Sequence, residues 1–300
     1  MHSQTTSFFE PTTGTVTHVV SCPATRRCAI VDSVLDYDAR SGRMTSTSAQ
    51  AVVDCVHAQG LQVDWLLETH AHADHLSAAP WLRERVGGRI AIGAHITEVQ
   101  RTFGLLLNAP DVLAYGAAPE RQPFDRLFKD DEVFQIGELP VQVWHTPGHT
   151  PACVSYVVGR PDDPEGLDVY VGDTLFMPDY GSARCDFPGG SARTLYRSVR
   201  RLLALPPSTR LHLCHDYPPK GRGPAWECTV ADQRQGNVHL HDGVDEDAFV
   251  LMRTTRDSTL GAPTLLWPSI QMNVRAGHLP PAEEGGARFV KIPIEDRTGS

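Results

Sequence analysis

The pattern of hydrophobic and polar positions predicts a chain in which short strands and amphipathic helices alternate. Short apolar runs rich in β-branched and aromatic residues predict strands at 14–20, 27–32, 62–68, 90–92, 132–136, 140–144, 154–158, 168–171 and 210–214. Apolar residues at helical spacing predict helices after Ser46, at 81–86, at 191–205 and near 245–256. Residues 36–46 are polar and predict a loop, whereas residues 98–122 predict a helix plus a loop.

The helix after Ser46 illustrates how its limits follow from residue type. Ser46 is a residue that often caps the first turn of a helix, and Gly60 is a residue that often ends one. The predicted buried face of this helix consists of Ala51, Val52, Cys55 and Val56.

Potential metal ligands follow four of the predicted strands. Residues 69–75, Thr-His-Ala-His-Ala-Asp-His, come directly after the strand at 62–68, and His149, Asp173 and His215 each follow a later strand. Imidazole and carboxylate groups bind Zn, Fe, Mn or Ni. A histidine-rich surface loop that binds nothing is the alternative for residues 69–75 alone. Ligands delivered from four strand ends favour a metal site on a rigid sheet.

Composition and charge narrow the class of protein. The 300 residues carry a net charge of −9, which argues against general binding to nucleic acid or to an anionic membrane. No run of eighteen apolar residues predicts a transmembrane helix, and the amino terminus lacks the pattern of a signal peptide. Seven scattered cysteines without a Cys-x-x-Cys pair favour free thiols in a reducing compartment. We therefore expect a cytoplasmic protein.

The motifs His-x-His-x-Asp-His, Gly-His-Thr, Gly-Asp-Thr and His-Asp, in this order, resemble the metallo-β-lactamase superfamily. The resemblance covers about residues 12–235. It implies an α+β fold, the αββα sandwich, in which two mixed β-sheets are flanked by helices. We accordingly expect a catalytic domain at residues 1–235 and, at residues 236–300, a C-terminal extension that packs on the core or on a second subunit of a homodimer.

Finer motifs resemble the persulfide dioxygenases, also called sulfur dioxygenases, within this superfamily. They are residues 181–190, Gly-Ser-Ala-Arg-Cys-Asp-Phe-Pro-Gly-Gly, and His-Asp-Tyr at 215–217. The better-known members carry threonine at the position of Cys185, so the match there is imperfect. The segments at 268–273 and 277–281 resemble a bacterial branch of β-lactamase-hydrolase-like proteins.

The resemblance to the dioxygenases implies one Fe(II) per chain, held by His70, His149 and Asp173. Two imidazoles and one carboxylate form a facial triad that leaves coordination positions open for a persulfide sulfur and for O₂. The remaining donors, His72, Asp74, His75 and His215, would orient these ligands and hydrogen-bond water. The implied reaction converts glutathione persulfide and O₂ to glutathione and sulfite.

Two other functions stay open at this point. The same residues permit a di-metal thioesterase like glyoxalase II, which hydrolyses S-acylglutathione. Its first metal, zinc for example, would bind His70, His72 and His149, its second Asp74, His75 and His215, and Asp173 would bridge the two. The third possibility is a metal-binding sensor without catalytic activity, which the intact ligand set disfavours.

Two residues are candidates for substrate binding. Arg184 can form a two-pronged contact with a carboxylate of glutathione persulfide, and Tyr217 offers a hydroxyl beside the metal loop. The alternatives are an internal salt bridge between Arg184 and Asp186, and simple packing for Tyr217. Cys185 is interpreted as a buried structural thiol and not as a nucleophile. His239 is interpreted as a surface residue.

Overall fold

The computed structural model describes residues 2–160 and 166–294, with fifteen strands and eight α-helices in these ranges. The strands are β1 (Gln4–Glu10), β2 (Thr15–Ser21), β3 (Arg27–Val31), β4 (Val34–Asp38), β5 (Arg43–Thr45), β6 (Gln62–Leu67), β7 (Leu76–Ser77), β8 (Arg89–Gly93), β9 (Arg126–Phe128), β10 (Val133–Ile136), β11 (Leu139–His145), β12 (Val154–Val158), β13 (Asp168–Tyr170), β14 (Arg210–His212) and β15 (Glu227–Thr229). The helices are α1 (Thr47–Ala58), α2 (Ala79–Val86), α3 (Ile96–Leu106), α4 (Pro110–Ala117), α5 (Ala192–Leu203), α6 (Val230–Gly236), α7 (Glu246–Asp257) and α8 (Leu266–Asn273).

The strands form two six-stranded mixed sheets and one small sheet. The first sheet has the order β1-β2-β3-β6-β8-β9, antiparallel up to β3 and parallel from β3 to β9. The second has the order β10-β11-β12-β13-β14-β15, antiparallel except for the parallel pair β13 and β14. The small sheet has the order β5-β4-β7.

The two large sheets face each other across a core of aliphatic and aromatic side chains. Trp65 and Phe128 of the first sheet pack in this core against Phe134 of the second, with ring centroids 5.2 and 4.5 Å from Phe134. Helices α1, α2 and α3 cover the outer face of the first sheet, and α5, α6 and α7 cover that of the second. The predicted αββα sandwich is therefore confirmed.

Several elements differ from the prediction. Residues 36–46 contribute to β4 and β5, whose outermost residues are exposed and therefore lack an apolar signal. Residues 98–122 contain two helices, α3 and α4, instead of one helix and a loop. The buried face of α1 is formed by Ala49, Val52, Val53 and Val56, so Ala51 and Cys55 were misplaced by about one position.

The C-terminal segment packs against the layered core. Phe249 of α7 is fully buried in the cluster that α5 forms with the second sheet, and Arg193 of α5 pairs with Glu246 and Asp247 of α7. Met272 of α8 packs against β7. Within residues 2–160 and 166–294, no helix is long and apolar enough to cross a membrane.

Candidate metal centre

The predicted ligands from four parts of the chain meet at one edge of the sandwich. The loop that carries His70, His72, Asp74 and His75 follows β6, and His149 follows β11. Asp173 lies in a short 3₁₀ turn after β13, and His215 lies just beyond β14. All the histidines among them are buried, with at most 4% exposure. The sheets thus supply the rigid frame that the sequence predicts.

One group of donors consists of His70, His149 and Asp173. The Oδ2 atom of Asp173 lies 3.8 Å from Nε2 of His70 and 3.6 Å from Nε2 of His149. One potential ligand atom of each residue lies within 4.8 Å of the others. This spacing lets two imidazoles and one carboxylate reach a single ion.

A second group consists of His72, Asp74, His75 and His215, and meets the same distance criterion. Nε2 of His215 lies 3.1 Å from Oδ2 of Asp74 and 3.4 Å from Oδ1 of Asp173. Asp173 therefore points one oxygen at each group and lies between them.

Unsatisfied polar atoms show that these groups fit a metal. His72 Nδ1, His75 Nε2, His215 Nε2 and Asp173 Oδ1 are buried without a hydrogen-bond partner within the described part of the chain. A buried polar atom left in this state costs about 1–3 kcal/mol. Coordination to a cation would remove that cost, since each of these atoms carries a lone pair suited to it.

Hydrogen bonds from the backbone and from hydroxyl groups fix which ring nitrogen faces the site. His149 Nδ1 donates to the carbonyl oxygen of Arg184 at 2.7 Å, which leaves Nε2 as the ligand atom. Nδ1 of His70 lies 3.0 Å from the hydroxyl of Thr69. The hydroxyl of Thr15 lies 3.3 Å from Nδ1 of both His75 and His215.

Two buried carboxyl groups that the sequence analysis missed surround His72. Asp32 accepts hydrogen bonds from Thr69 N at 2.7 Å, from the Thr69 hydroxyl at 2.8 Å and from His72 Nε2 at 2.9 Å. Glu68 Oε2 lies 3.3 Å from the same His72 nitrogen. Asp32 follows strand β3 directly, so the rule that located the other ligands could have located it.

The pKa values in this region reflect burial and the two carboxyl groups. Burial opposes the ionisation of Asp32, but the charge and hydrogen bond of His72 outweigh it and lower the Asp32 pKa. Burial also opposes protonation of His72, but Asp32 and Glu68 raise its pKa well above the ordinary value. His72 therefore differs from His70 and His149, whose pKa values burial lowers.

Asp173 is the acidic donor between the two groups. Burial is the main cause that raises its pKa to about 6, and Asp74 acts in the same direction while His215 opposes it. A bound cation would compensate the buried negative charge, which is the chemical setting of a metal-ligating carboxylate.

A cavity of about 1040 Å³ opens above the metal residues. Its wall includes the β4–β5 hairpin on one side and, on another, Arg256 and Leu260 of the C-terminal segment. Tyr217 stands in this wall with its ring stacked on His215 at 5.7 Å and its hydroxyl 3.4 Å from Asp74 Oδ2. Burial raises the pKa of Tyr217, so its hydroxyl stays protonated and able to donate.

Arg184 lines the same cavity, but its guanidinium group already has partners. Its Nε and one terminal nitrogen donate to the two carboxylate oxygens of Asp186 at 2.6 and 2.7 Å. Its other terminal nitrogen donates to the carbonyl oxygen of Gly261 at 2.7 Å. The internal ion pair, the alternative interpretation from the sequence, is thus present in the structure.

Arg184→Ala is expected to act through the loop that holds His149. Its partly exposed ion pair is worth about 1 kcal/mol, so the melting temperature should fall by about 2–4 °C. Turnover of glutathione persulfide and of a small persulfide without carboxylates should fall by the same factor. Melting curves and kinetics on both substrates test this expectation.

The control is Arg193→Ala, which removes the ion pairs to Glu246 and Asp247 on the outer surface of α5 and α7. It should lower stability without changing turnover. A rise in KM for glutathione persulfide alone, at unchanged stability of Arg184→Ala, would instead assign Arg184 to a substrate carboxylate.

The structure also bears on two interpretations from the sequence, for Cys185 and His239, which lie near the loop that contains Arg184. Cys185 is buried, and burial raises the pKa of its thiol, as expected of a structural cysteine. His239 is not the predicted surface residue, because its Nδ1 accepts a hydrogen bond from Ser182 N at 3.1 Å in a half-buried position. Its position depends on the C-terminal segment folding back onto residues 181–187, which local sequence does not reveal.

Two mixed sheets between helices, with clustered histidine and aspartate donors at one edge, define a metalloprotein of the αββα class. Residues 14–215 match the family model described as the metallo-beta-lactamase superfamily. The chain belongs to this superfamily, and its histidine and aspartate cluster is compatible with the metal site of that fold.

Relatives across this superfamily carry different names. A probable metallo-hydrolase of Burkholderia pseudomallei is 53% identical over 96% of this chain and 98% of its own. Glyoxylase B2 of Dictyostelium discoideum is 48% identical over 90% of this chain and 89% of its own. The mitochondrial persulfide dioxygenase ETHE1 of Bos taurus is 26% identical over 70% of this chain and 66% of its own.

Among solved structures, ETHE1 from Myxococcus xanthus superposes with a TM-score of 0.69. It is 25% identical and covers 92% of this chain and all of its own. The metallo-β-lactamase fold is thus supported by both sequence and structure.

Proposed function

We propose that this protein is an Fe(II)-dependent persulfide dioxygenase that acts on glutathione persulfide. The reaction consumes one O₂ and one water, and yields glutathione and sulfite. The sulfane sulfur loses four electrons, which O₂ takes up. Similarity to the bovine persulfide dioxygenase and to the ETHE1 structure supports the proposal.

One observation carries this proposal. The donor group of the first position is His70, His149 and Asp173, and His72 is not part of it. A first zinc of a di-metal hydrolase would need His72 in that group, but a ligand atom of His72 lies with those of Asp74, His75 and His215 instead. Two histidines and one carboxylate are the ligand set of non-haem Fe(II) oxygenases.

The residues of the chain have distinct roles in this proposal. His70, His149 and Asp173 would hold Fe(II), and this facial triad would leave coordination positions open. Fe(II) would also supply the redox chemistry, which Zn²⁺ cannot do. His72, Asp74, His75 and His215 would orient these ligands and hydrogen-bond water. The hydroxyl of Tyr217 would donate a hydrogen bond to the substrate within the cavity. A homodimer and a cytoplasmic location remain predictions from the sequence.

The second candidate is a di-metal thioesterase that hydrolyses S-acylglutathione. The assembled second donor group and the position of Asp173 between both groups favour it. The names metallo-hydrolase and glyoxylase B2 given to two relatives point in the same direction. Metal stoichiometry separates the two candidates, because the thioesterase needs a second metal ion in the second donor group and the dioxygenase does not.

Protein purified without oxygen is expected to contain about one iron per chain, because a single facial triad binds a single ion. It should consume O₂ when glutathione persulfide is added, with one sulfite formed per O₂. Elemental analysis, an oxygen electrode and sulfite determination provide the measurements. Two zinc ions per chain, with thioester hydrolysis that survives removal of iron, would establish the hydrolase instead.

A further inference from the structure

Asn273, the last residue of α8, contacts the metal loop from the C-terminal segment. Its side-chain nitrogen donates to the carbonyl oxygens of His72 and of His75, both at 2.8 Å. Its side-chain oxygen accepts from Ser77 N at 2.9 Å. The residue is only 4% exposed, so these three bonds are shielded from water.

The three bonds fix the backbone of the part of the loop that carries the second donor group. Residues 70–75 have no helical or strand structure, so regular hydrogen bonding does not define their conformation. Asn273 holds two carbonyl groups three residues apart, together with the amide of Ser77. The orientation of these peptide groups sets the direction of the His72, Asp74 and His75 side chains.

The residues that follow Asn273 hold the end of α8 in place. Arg275 forms a two-pronged pair with Asp111 at 2.7 and 2.9 Å, and Gln100 donates to Val274 O at 3.0 Å. Gly277 adopts φ +82°, and a Cβ there would lie 2.9 Å from Ser77 O. This close approach of the chain brings the end of α8 against strand β7, next to the metal loop.

From these contacts we propose that Asn273 is a positioning residue of the metal centre. It ties the C-terminal segment to the loop and holds His72, Asp74 and His75 in place, whether they bind a metal ion themselves or orient the ligands of one. The proposal rests on the loop being a metal site, as in the proposed function. It is independent of which metal binds and of which reaction follows.

Binding of Co(II) to the metal-free protein tests this role without any turnover. Asn273→Ala removes all three bonds. Asn273→Asp keeps an acceptor for Ser77 N but replaces both donated bonds with a carboxylate facing two carbonyl oxygens. Loss of groups that orient metal ligands typically weakens metal binding by about ten- to a hundredfold. We expect a loss of this size in both variants, with a changed absorption spectrum of bound Co(II).

Gln271→Leu is the matched control because Gln271 lies on the same helix and is also buried. It donates to Trp267 O at 2.7 Å and Lys291 O at 2.9 Å, and accepts from Lys291 N at 3.0 Å. This variant loses as many bonds but none to the metal loop. Its Co(II) affinity should stay within about threefold of that of the unmodified protein, because the Gln271 side chain bonds to Trp267 and Lys291 and not to the metal loop.

Three results would overturn the assignment. The first is unchanged Co(II) affinity and spectrum in a folded Asn273 variant. The second is an equal loss of affinity in Gln271→Leu, which would show a general effect of destabilising α8. The third is failure of both Asn273 variants to fold while Gln271→Leu folds, since Asn273 would then belong to the folding core. None of these results depends on whether the protein oxidises persulfides.

Discussion

Asp173→Ala is expected to remove iron and dioxygenase activity together. The Asp173 carboxylate faces both Nε2 atoms of the first donor group at 3.6 and 3.8 Å, so its loss leaves only two imidazoles for the ion. The fall in activity should exceed about a hundredfold, the upper range for residues that merely orient metal ligands. Iron content and O₂ consumption, measured on the same preparation, test the expectation.

His149→Ala should behave like Asp173→Ala, whereas His215→Ala should retain most of its iron. Nε2 of His215 lies near Asp74 Oδ2 and Asp173 Oδ1, in the second donor group. His215→Ala is therefore the control for general damage to this buried region. Equal loss of metal in all three variants would indicate one coupled two-metal site and would contradict the single-iron proposal.

Among the variants proposed for this protein, Asp32→Asn is expected to cause the largest loss in free energy of unfolding. Asp32 is 2% exposed and accepts three hydrogen bonds from Thr69 and His72. Breaking a buried charged pair costs about 3–5 kcal/mol. We expect about 3 kcal/mol, because His72 can lose its proton when its partner becomes neutral. Asparagine is the appropriate replacement because position 32 has φ +51°, which asparagine tolerates better than alanine.

Urea unfolding of the metal-free protein measures this loss without a contribution from metal binding. The control is Asp36→Asn, which removes a carboxylate that accepts from Ser48 N at 3.0 Å and from the Ser48 hydroxyl at 2.5 Å. These bonds support the first turn of α1 at a partly exposed position, so about 1 kcal/mol is expected there. Equal losses in the two variants would show that the Asp32 network has no special role.

The C-terminal segment has a larger part in the site than its sequence indicates. Arg256 and Leu260 stand in the cavity wall, and Arg184 is tied to this segment through Gly261. Asp257 accepts a hydrogen bond from Cys185 N at 2.8 Å, in the loop whose backbone holds His149. The family model matches residues 14–215, so this segment lies outside the part of the chain that the model describes.

The sequence alone predicted the strands and helices from local order along the chain, and the αββα fold through its resemblance to the metallo-β-lactamase superfamily. Local order also located the seven candidate donors. Period-two and period-3.6 patterns predict strands and helices directly. A residue that directly follows a strand lies at the edge of the sheet to which that strand belongs. His70, His149, Asp173 and His215 were located in this way, and Asp32 could have been.

Only the tertiary structure decided how those donors group and what holds them. His72 groups with Asp74, His75 and His215, and its Nε2 contacts Glu68 and Asp32, which follows the neighbouring strand β3. The sequence left open whether Arg184 binds a substrate carboxylate or Asp186, and the structure shows the pair with Asp186. The contact of Asn273 with His72 and His75 joins residues about two hundred positions apart, so no local pattern contains it. Hydrogen bonds of this kind depend on distances of a few ångströms, which are fixed only when the layers pack.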